Sequence, residues 1–324
     1  MIMRCSVVTW WRTGLLFVVS LLVSFPSVAS SSERLFVVNQ AGSSISVIDV
    51  EAMAVTDTIS VATAPAAIAA SAKMRRIFIT HPERSEVTVL DADRLTVEKT
   101  FEVKGTPFGI AVDADDRLLI SDWNLHCVHV IDAVSGTEIV RIPVGQSPAG
   151  IVAGAQFAYV ANRESDSVSV IDLSTLQVSA TVDVGRAPFA IALSSDETQA
   201  YVANVQASTL SVIDTDVPAK LRDLETGKLP YGIGLPPNGA RIVVANQQSG
   251  TASIFARDGF ELQHVVRIGD YPEGVVVADD GRKAFIANWF SDDVSVIDLD
   301  AAREIARIKT GKGPRGLALI RFNP

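Results

Sequence analysis

Histidine and carboxylate side chains gather in one stretch of this chain. His81 and Asp122 fall at equivalent points of a repeating pattern, and Glu83 and His126 follow within a few residues. Imidazole and carboxylate together can move a proton or hold a metal ion. His81 and Asp122 are therefore the catalytic candidates. They come from different repeats, and no HxxxH or Cys–His spacing accompanies them. No metal site is assigned on that pattern, and no cofactor is expected. His129 and His264 fall inside strand-like runs and read as framework. Cys127 has no intrachain partner once an N-terminal segment containing Cys5 is removed, and it reads as a packed thiol. The chain has no Gly-rich phosphate loop between strand and helix, no Gly-x-Ser-x-Gly elbow and no haem-attaching Cys-x-x-Cys-His.

A second set of residues suits binding. Prolines recur at Pro65, Pro107, Pro148, Pro188, Pro230, Pro272 and Pro314. The residue after each proline varies: Ala66, Phe108, Ala149, Phe189, Tyr231, Glu273 and Arg315. The position after that stays Gly or Ala, as expected where seven strands crowd around an axis. The variable residues are expected to point into a central funnel. Phe108, Phe189 and Tyr231 would form an aromatic arc, with Glu273 and Arg315 opposite. Such aromatics serve packing as readily as binding. Nearby loops add Trp123, Arg163, Glu164, Trp289, Phe290, Asp292 and Arg84. Loops on a rigid scaffold are the usual place for binding residues. Trp123, Trp289 and Phe290 complete the binding candidates.

These residues need a scaffold, and the sequence describes one. The proline intervals are 42, 41, 40, 42, 42 and 42 residues. Asn39, His81, Asp122, Asn162, Asn204, Asn246 and Asn288 keep the same intervals in the same order. Two markers with one shared drift mean that whole units were duplicated. Each unit holds four short runs rich in Val, Ile, Tyr and Thr, bounded by turn residues. A period near 40 residues built of such runs is the signature of a β-propeller blade. Asn238-Gly239 and Asp280-Gly281 mark hairpins that need positive φ. The expected fold is all-β: a seven-bladed β-propeller of four-stranded antiparallel blades. The array begins on a second strand, Arg34–Asn39, and ends on a first strand, Pro314–Ile320. Pairing these two closes the ring and removes the last open edge. The Asn positions read as structural, holding turns. In the sixth unit Ser253-Ile-Phe-Ala-Arg257 lacks the usual aspartate, so its outer strands are expected to be irregular.

Tyr159-Val-Ala-Asn162, Tyr201-Val-Ala-Asn204 and Ser295-Val-Ile-Asp298 resemble the YVTN-type β-propeller repeat. The resemblance runs from Leu35 to Ile320. It implies a seven-bladed propeller, but the repeated residues are framework and imply no activity. That family includes secreted and periplasmic bacterial proteins and surface-layer proteins. Lactonase-like and haem d1-type propellers are more distant relatives, and one periplasmic member is associated with single-stranded DNA binding.

The N-terminus reads as a targeting signal. Arg4 and Arg12 precede an apolar stretch, Leu15–Phe25, and Ser27-Val28-Ala29 offers small residues for cleavage. The apolar span is shorter than the roughly 20 residues that a membrane helix needs. A signal peptide over 1–29 and one propeller domain over 30–324 are expected, with no stable membrane insertion after cleavage. Loss of two arginines would take the formal net charge from −9 to −11. Such a protein repels a polyanion at long range, which weighs against nucleic acid.

The leading expectation is a periplasmic or secreted monomer that binds an envelope protein or peptide through the proline-loop face, without catalysis. A lactonase- or lyase-like enzyme acting at the channel mouth is the alternative. Single-stranded nucleic acid binding, through aromatics interleaved with Arg and Lys, is the third reading.

Overall fold

The computed structural model describes residues 32–322. The signal segment over 1–29 and its cleavage point lie outside them. Among the described residues the chain forms 28 strands, β1 to β28 in chain order, arranged as seven four-stranded sheets. Blade four shows the plan. Its strands are β12 (Pro148–Ala153), β13 (Phe157–Asn162), β14 (Ser167–Asp172) and β15 (Gln177–Asp183), each antiparallel to the next. Blade one is assembled from both ends of the array. The strand β28 (Pro314–Phe322) lies beside β1 (Ser32–Asn39), followed by β2 (Ser44–Asp49) and β3 (Ala54–Ser60). Their register runs from Ser32 opposite Phe322 to Asn39 opposite Pro314. This is the closure expected from the sequence. No helix among the described residues is long and apolar enough to cross a membrane.

Alternation along the strands explains why the blades stack. In β1, Phe36 and Val38 belong to one hydrophobic cluster, with Ile77, Ile79 and Leu90 of blade two. Leu35 and Val37 belong to another, with Phe285, Val294 and Val296 of blade seven. Side chains of period two thus bury both faces of one sheet. Seven such clusters fill the seven interfaces between blades. Each Val, Leu or Ile buried this way contributes about 1.5–3 kcal/mol.

The small residue after each variable position has a steric cause. A Cβ on Gly109 would sit 2.1 Å from the carbonyl oxygen of Ala149, and one on Gly232 would sit 1.9 Å from that of Glu273. The innermost strands pass too close for a larger residue there. Gly239 and Gly281 take the positive φ expected of their hairpins, 65° and 68°.

The sixth unit corrects one expectation. Six blades turn from the third to the fourth strand on an aspartate whose Oδ1 accepts two backbone N–H groups, as Asp172 does from Ser174 and Thr175. Blade six has Ala256 there, with Arg257 next. Its outer strand Leu262–Arg267 still forms, and Phe255 faces Leu262 as Ile171 faces Val178 in blade four. Arg257 reaches back to blade five, where its Nη2 donates to both Asp196 oxygens at 2.7–2.8 Å.

Candidate functional site

The loops entering each innermost strand and the loops joining second and third strands meet on one face. Backbone bonds tie them, such as Trp123 N–H to Thr106 O and Arg163 N–H to Ser147 O. All seven post-proline residues line one cavity of about 250 Å³ on the ring axis. Below them the wall is apolar, with Ile68, Ile151, Ile191 and Ile233.

Phe108, Phe189 and Tyr231 form the arc that their spacing suggests. Ring centroids lie 5.7 Å apart for Phe108–Phe189 and 4.1 Å apart for Phe189–Tyr231. Trp123 extends it at 5.2 Å from Phe108, with the Arg163 guanidinium over its ring. Arg315 is not simply opposite the arc. Its guanidinium reaches across, 5.4 Å from the Phe108 centroid and 5.9 Å from that of Tyr231. It donates to Tyr231 Oη at 2.6 Å and to Gln40 Oε1 at 3.2 Å. Its Nε stands 3.1 Å from Glu273 Oε2. Gln247 Nε2 donates to Glu273 Oε1 at 2.9 Å.

Burial pushes the Glu273 carboxyl up, while Arg315 and Gln247 pull it back in part. Burial also raises the Tyr231 phenol, against the pull of Arg315. Burial alone would lower the Arg315 guanidinium, but Tyr231 and Glu273 hold it above its ordinary value. Gln40 and Gln247 are members of this site that the sequence reading did not pick out. Both stand directly after an Asn marker, in the same column as Trp123, Arg163 and Trp289.

Trp289 and Phe290 lie elsewhere on the rim. Phe290 packs on Tyr271 at 4.7 Å and on Trp289 at 5.0 Å, yet stays 64% exposed. Trp289 leans on Gly313 of the next blade, where an added Cβ would meet its ring at 3.2 Å. Phe290 is thus the projecting aromatic, and Trp289 is half-buried beneath it.

The structure places His81 and Asp122 in two separate buried hydrogen-bond bridges. Both side chains are fully buried. In five blades the marker Asn donates through Nδ2 to a hydroxyl seven residues on, as Asn162 does to Ser169 at 2.9 Å. In blade two His81 bridges the same two positions with the direction reversed. Its Nε2 accepts from Thr88 Oγ1 at 2.9 Å and its Nδ1–H donates to Thr63 O at 3.1 Å, which fixes the tautomer. Burial lowers its pKa and keeps the ring neutral.

In blade three the pair becomes Asp122 and His129. His129 Nε2 lies 3.2 Å from Asp122 Oδ2, and its Nδ1 lies 2.6 Å from Glu138 Oε1. Burial would lower the imidazole, but Asp122, Cys127 and Glu138 override it and hold its pKa at about 10. Glu138, bonded by Arg141 and then by His129, is held down to about 2. Asp122 is lowered as well: burial raises it, but His129 and the backbone N–H groups of Leu125 and Thr106 prevail. His129 is therefore the partner of Asp122, which a strand position alone did not reveal. His126 takes no part. It holds φ 56° in its loop and its Nδ1 accepts the Ser147 N–H of the next blade.

Comparison with known proteins agrees with this architecture. Residues 112–238 match the model of a YNCE-like beta-propeller family. No curated protein matches the chain. Among solved structures, a chain of Kuenenia stuttgartiensis Hydrazine Synthase is similar at 20% identity and a TM-score of 0.74, over 82% of this chain and 92% of that one. A functionally unknown protein from Desulfotomaculum acetoxidans DSM 771 is similar at 15% identity and a TM-score of 0.79, over 90% and 99%. Likenesses at such identities speak for the fold alone. The chain is a seven-bladed β-propeller, closed by strands from its two ends.

Proposed function

We propose that this propeller, of the YVTN type, is an exported, non-enzymatic binding module of the cell envelope. Its proline-loop face would take a protein or peptide partner, with Phe290 as the projecting anchor. One observation carries the reading. The framework columns repeat around the ring, whereas the variable post-proline side chains all line a single mouth. The buried histidines and aspartates that suggested chemistry are spent on each other and on backbone, away from that mouth. Phe290 and its neighbours Tyr271 and Trp289 supply an aromatic cluster of the kind that dominates interface energies.

The test is capture from envelope extract by immobilised wild type, Phe290→Ala and Val217→Ala. Val217 is 70% exposed in a third-to-fourth-strand turn on the opposite face. Capture weakened by about 1–3 kcal/mol with Phe290→Ala, and unchanged with Val217→Ala, supports the reading. Equal capture by all three overturns it. N-terminal sequencing of the envelope fraction checks export, with Ser30 as the expected first residue. Lactone or ester hydrolysis that disappears with Glu273→Gln would replace the binding reading with an enzymatic one.

A further inference from the structure

The polar side chains at the mouth leave one another incompletely matched. A guanidinium carries five N–H groups. Arg315 places one on Gln40, one on Tyr231 and directs Nε toward Glu273, so two have no acceptor among the described residues. Tyr231 accepts from Arg315 but finds no acceptor for its own proton there. Glu273 is 5% exposed, and its Oε2 receives no aligned hydrogen bond although Arg315 Nε is only 3.1 Å away. Buried polar atoms in this condition are rare and costly. Spare donors and a spare acceptor thus stand side by side on one cavity.

The cavity limits what could match them. Its volume of about 250 Å³ falls below the roughly 300–1,000 Å³ that holds drug-sized ligands. Its remaining surface is aromatic and aliphatic, from Phe108, Phe189 and the isoleucines. The fixed charges of Arg315 and Glu273 cancel when both are ionised.

We infer that the mouth binds a small zwitterion, a neutral α-amino acid with an apolar side chain. This rests on the mouth being a binding face. The ligand carboxylate takes the spare Arg315 N–H groups and the Tyr231 hydroxyl in charge-assisted bonds. Its ammonium takes Glu273 Oε2, which Arg315 serves poorly. Its side chain lies against Phe108, Phe189 and the apolar wall. A lone carboxylate would leave the Glu273 oxygen unmet, and a lone ammonium would leave the arginine donors unmet. A peptide separates the two charges along its length and cannot place both here.

Titration calorimetry on the full chain tests this with four probes: L-phenylalanine, 3-phenylpropanoate, phenethylamine and glycyl-phenylalanine. L-phenylalanine should bind at least about tenfold more tightly than each of the others. Glu273→Gln, with its melting checked first, should reduce L-phenylalanine to the level of 3-phenylpropanoate. The probe series uses unaltered protein, so it holds even where that variant folds poorly. A single-charge probe or the dipeptide binding as tightly as L-phenylalanine overturns the inference. So does the absence of heat with L-phenylalanine and L-leucine at millimolar concentration. If the amino acids fail while Phe290-dependent capture persists, the ligand class falls and the docking reading stands. If amino acids bind while capture never depends on Phe290, the reverse holds.

Discussion

Blades three and four meet one structural demand with different chemistry. At the top of blade four, Asn162 bridges to Ser167 and Ser169, with Gly145 packed against its amide. The arrangement is neutral, and Asn162 Oδ1 is left buried without a partner. Blade three has Asp122, His129 and Gly105 in the same columns. Here Asp122 Oδ1 accepts from Asn124 and Leu125, and Oδ2 accepts from Thr106 and lies by His129. The second imidazole nitrogen goes to Glu138. The frame therefore requires a donor facing an acceptor at this point, not particular residues. A charged pair fits if each ion is fully bonded. A His–Asp pair that resembles active-site chemistry is, in this blade, a structural bridge.

Four changes would break or sharpen that contrast. The largest loss should come from His129→Ala, which strands Asp122 in the interior and should cost about 3–5 kcal/mol in denaturant unfolding. Ser169→Ala in blade four removes a neutral partner and should cost only about 1 kcal/mol. Equal losses would mean that the charge carries no weight. Next, Asp122→Asn with His129→Ser converts blade three to the common frame. The double variant should lose less than His129→Ala alone, a coupling that a thermodynamic cycle measures directly.

The third change is pH. The folded protein holds the His129 proton more tightly than the unfolded chain, at about 10 against an ordinary 6.5. That contribution is complete below pH 6.5 and is lost as pH rises toward 10. Wild type should lose stability across this window relative to the double variant. At the acid end, Asp122 and Glu138 are held low, so their contribution is lost as pH falls toward 2. A parallel pair of pH profiles would show that His129 is not the titrating group. The smallest effect belongs to Phe290→Ala, which should change stability by no more than about 0.5 kcal/mol because the ring is mostly exposed.

Much of the fold could be read in the repeats because a blade is a local object. Strand, turn and interval recur within about 42 residues, so the number of blades and the closure of the ring follow from aligning copies. The bridge in blade three was equally available. Seven residues after the markers stand Ser46, Thr88, His129, Ser169, Ser211, Ser253 and Ser295. His129 breaks that column where Asp122 breaks the other. Reading each strand by itself hid the pairing. The mouth was legible only in part. Spacing places seven residues on a ring, but it does not say how far a long side chain reaches. Arg315 crosses to Tyr231, 84 residues away in sequence, because burial over two aromatic rings favours that rotamer. The partial burial of Trp289 likewise depends on the Gly313 backbone of the following blade.

The strand that seals the ring also carries Arg315. A ribosome delivers β28 after every other described strand of the propeller, so a nascent or prematurely terminated chain that lacks it has neither a sealed first blade nor the arginine at its mouth. Ring closure and the amino-acid site proposed for the mouth would thereby be completed by the same few residues. Unfinished molecules would not compete for the ligand, because the part that they lack is the part that would hold it.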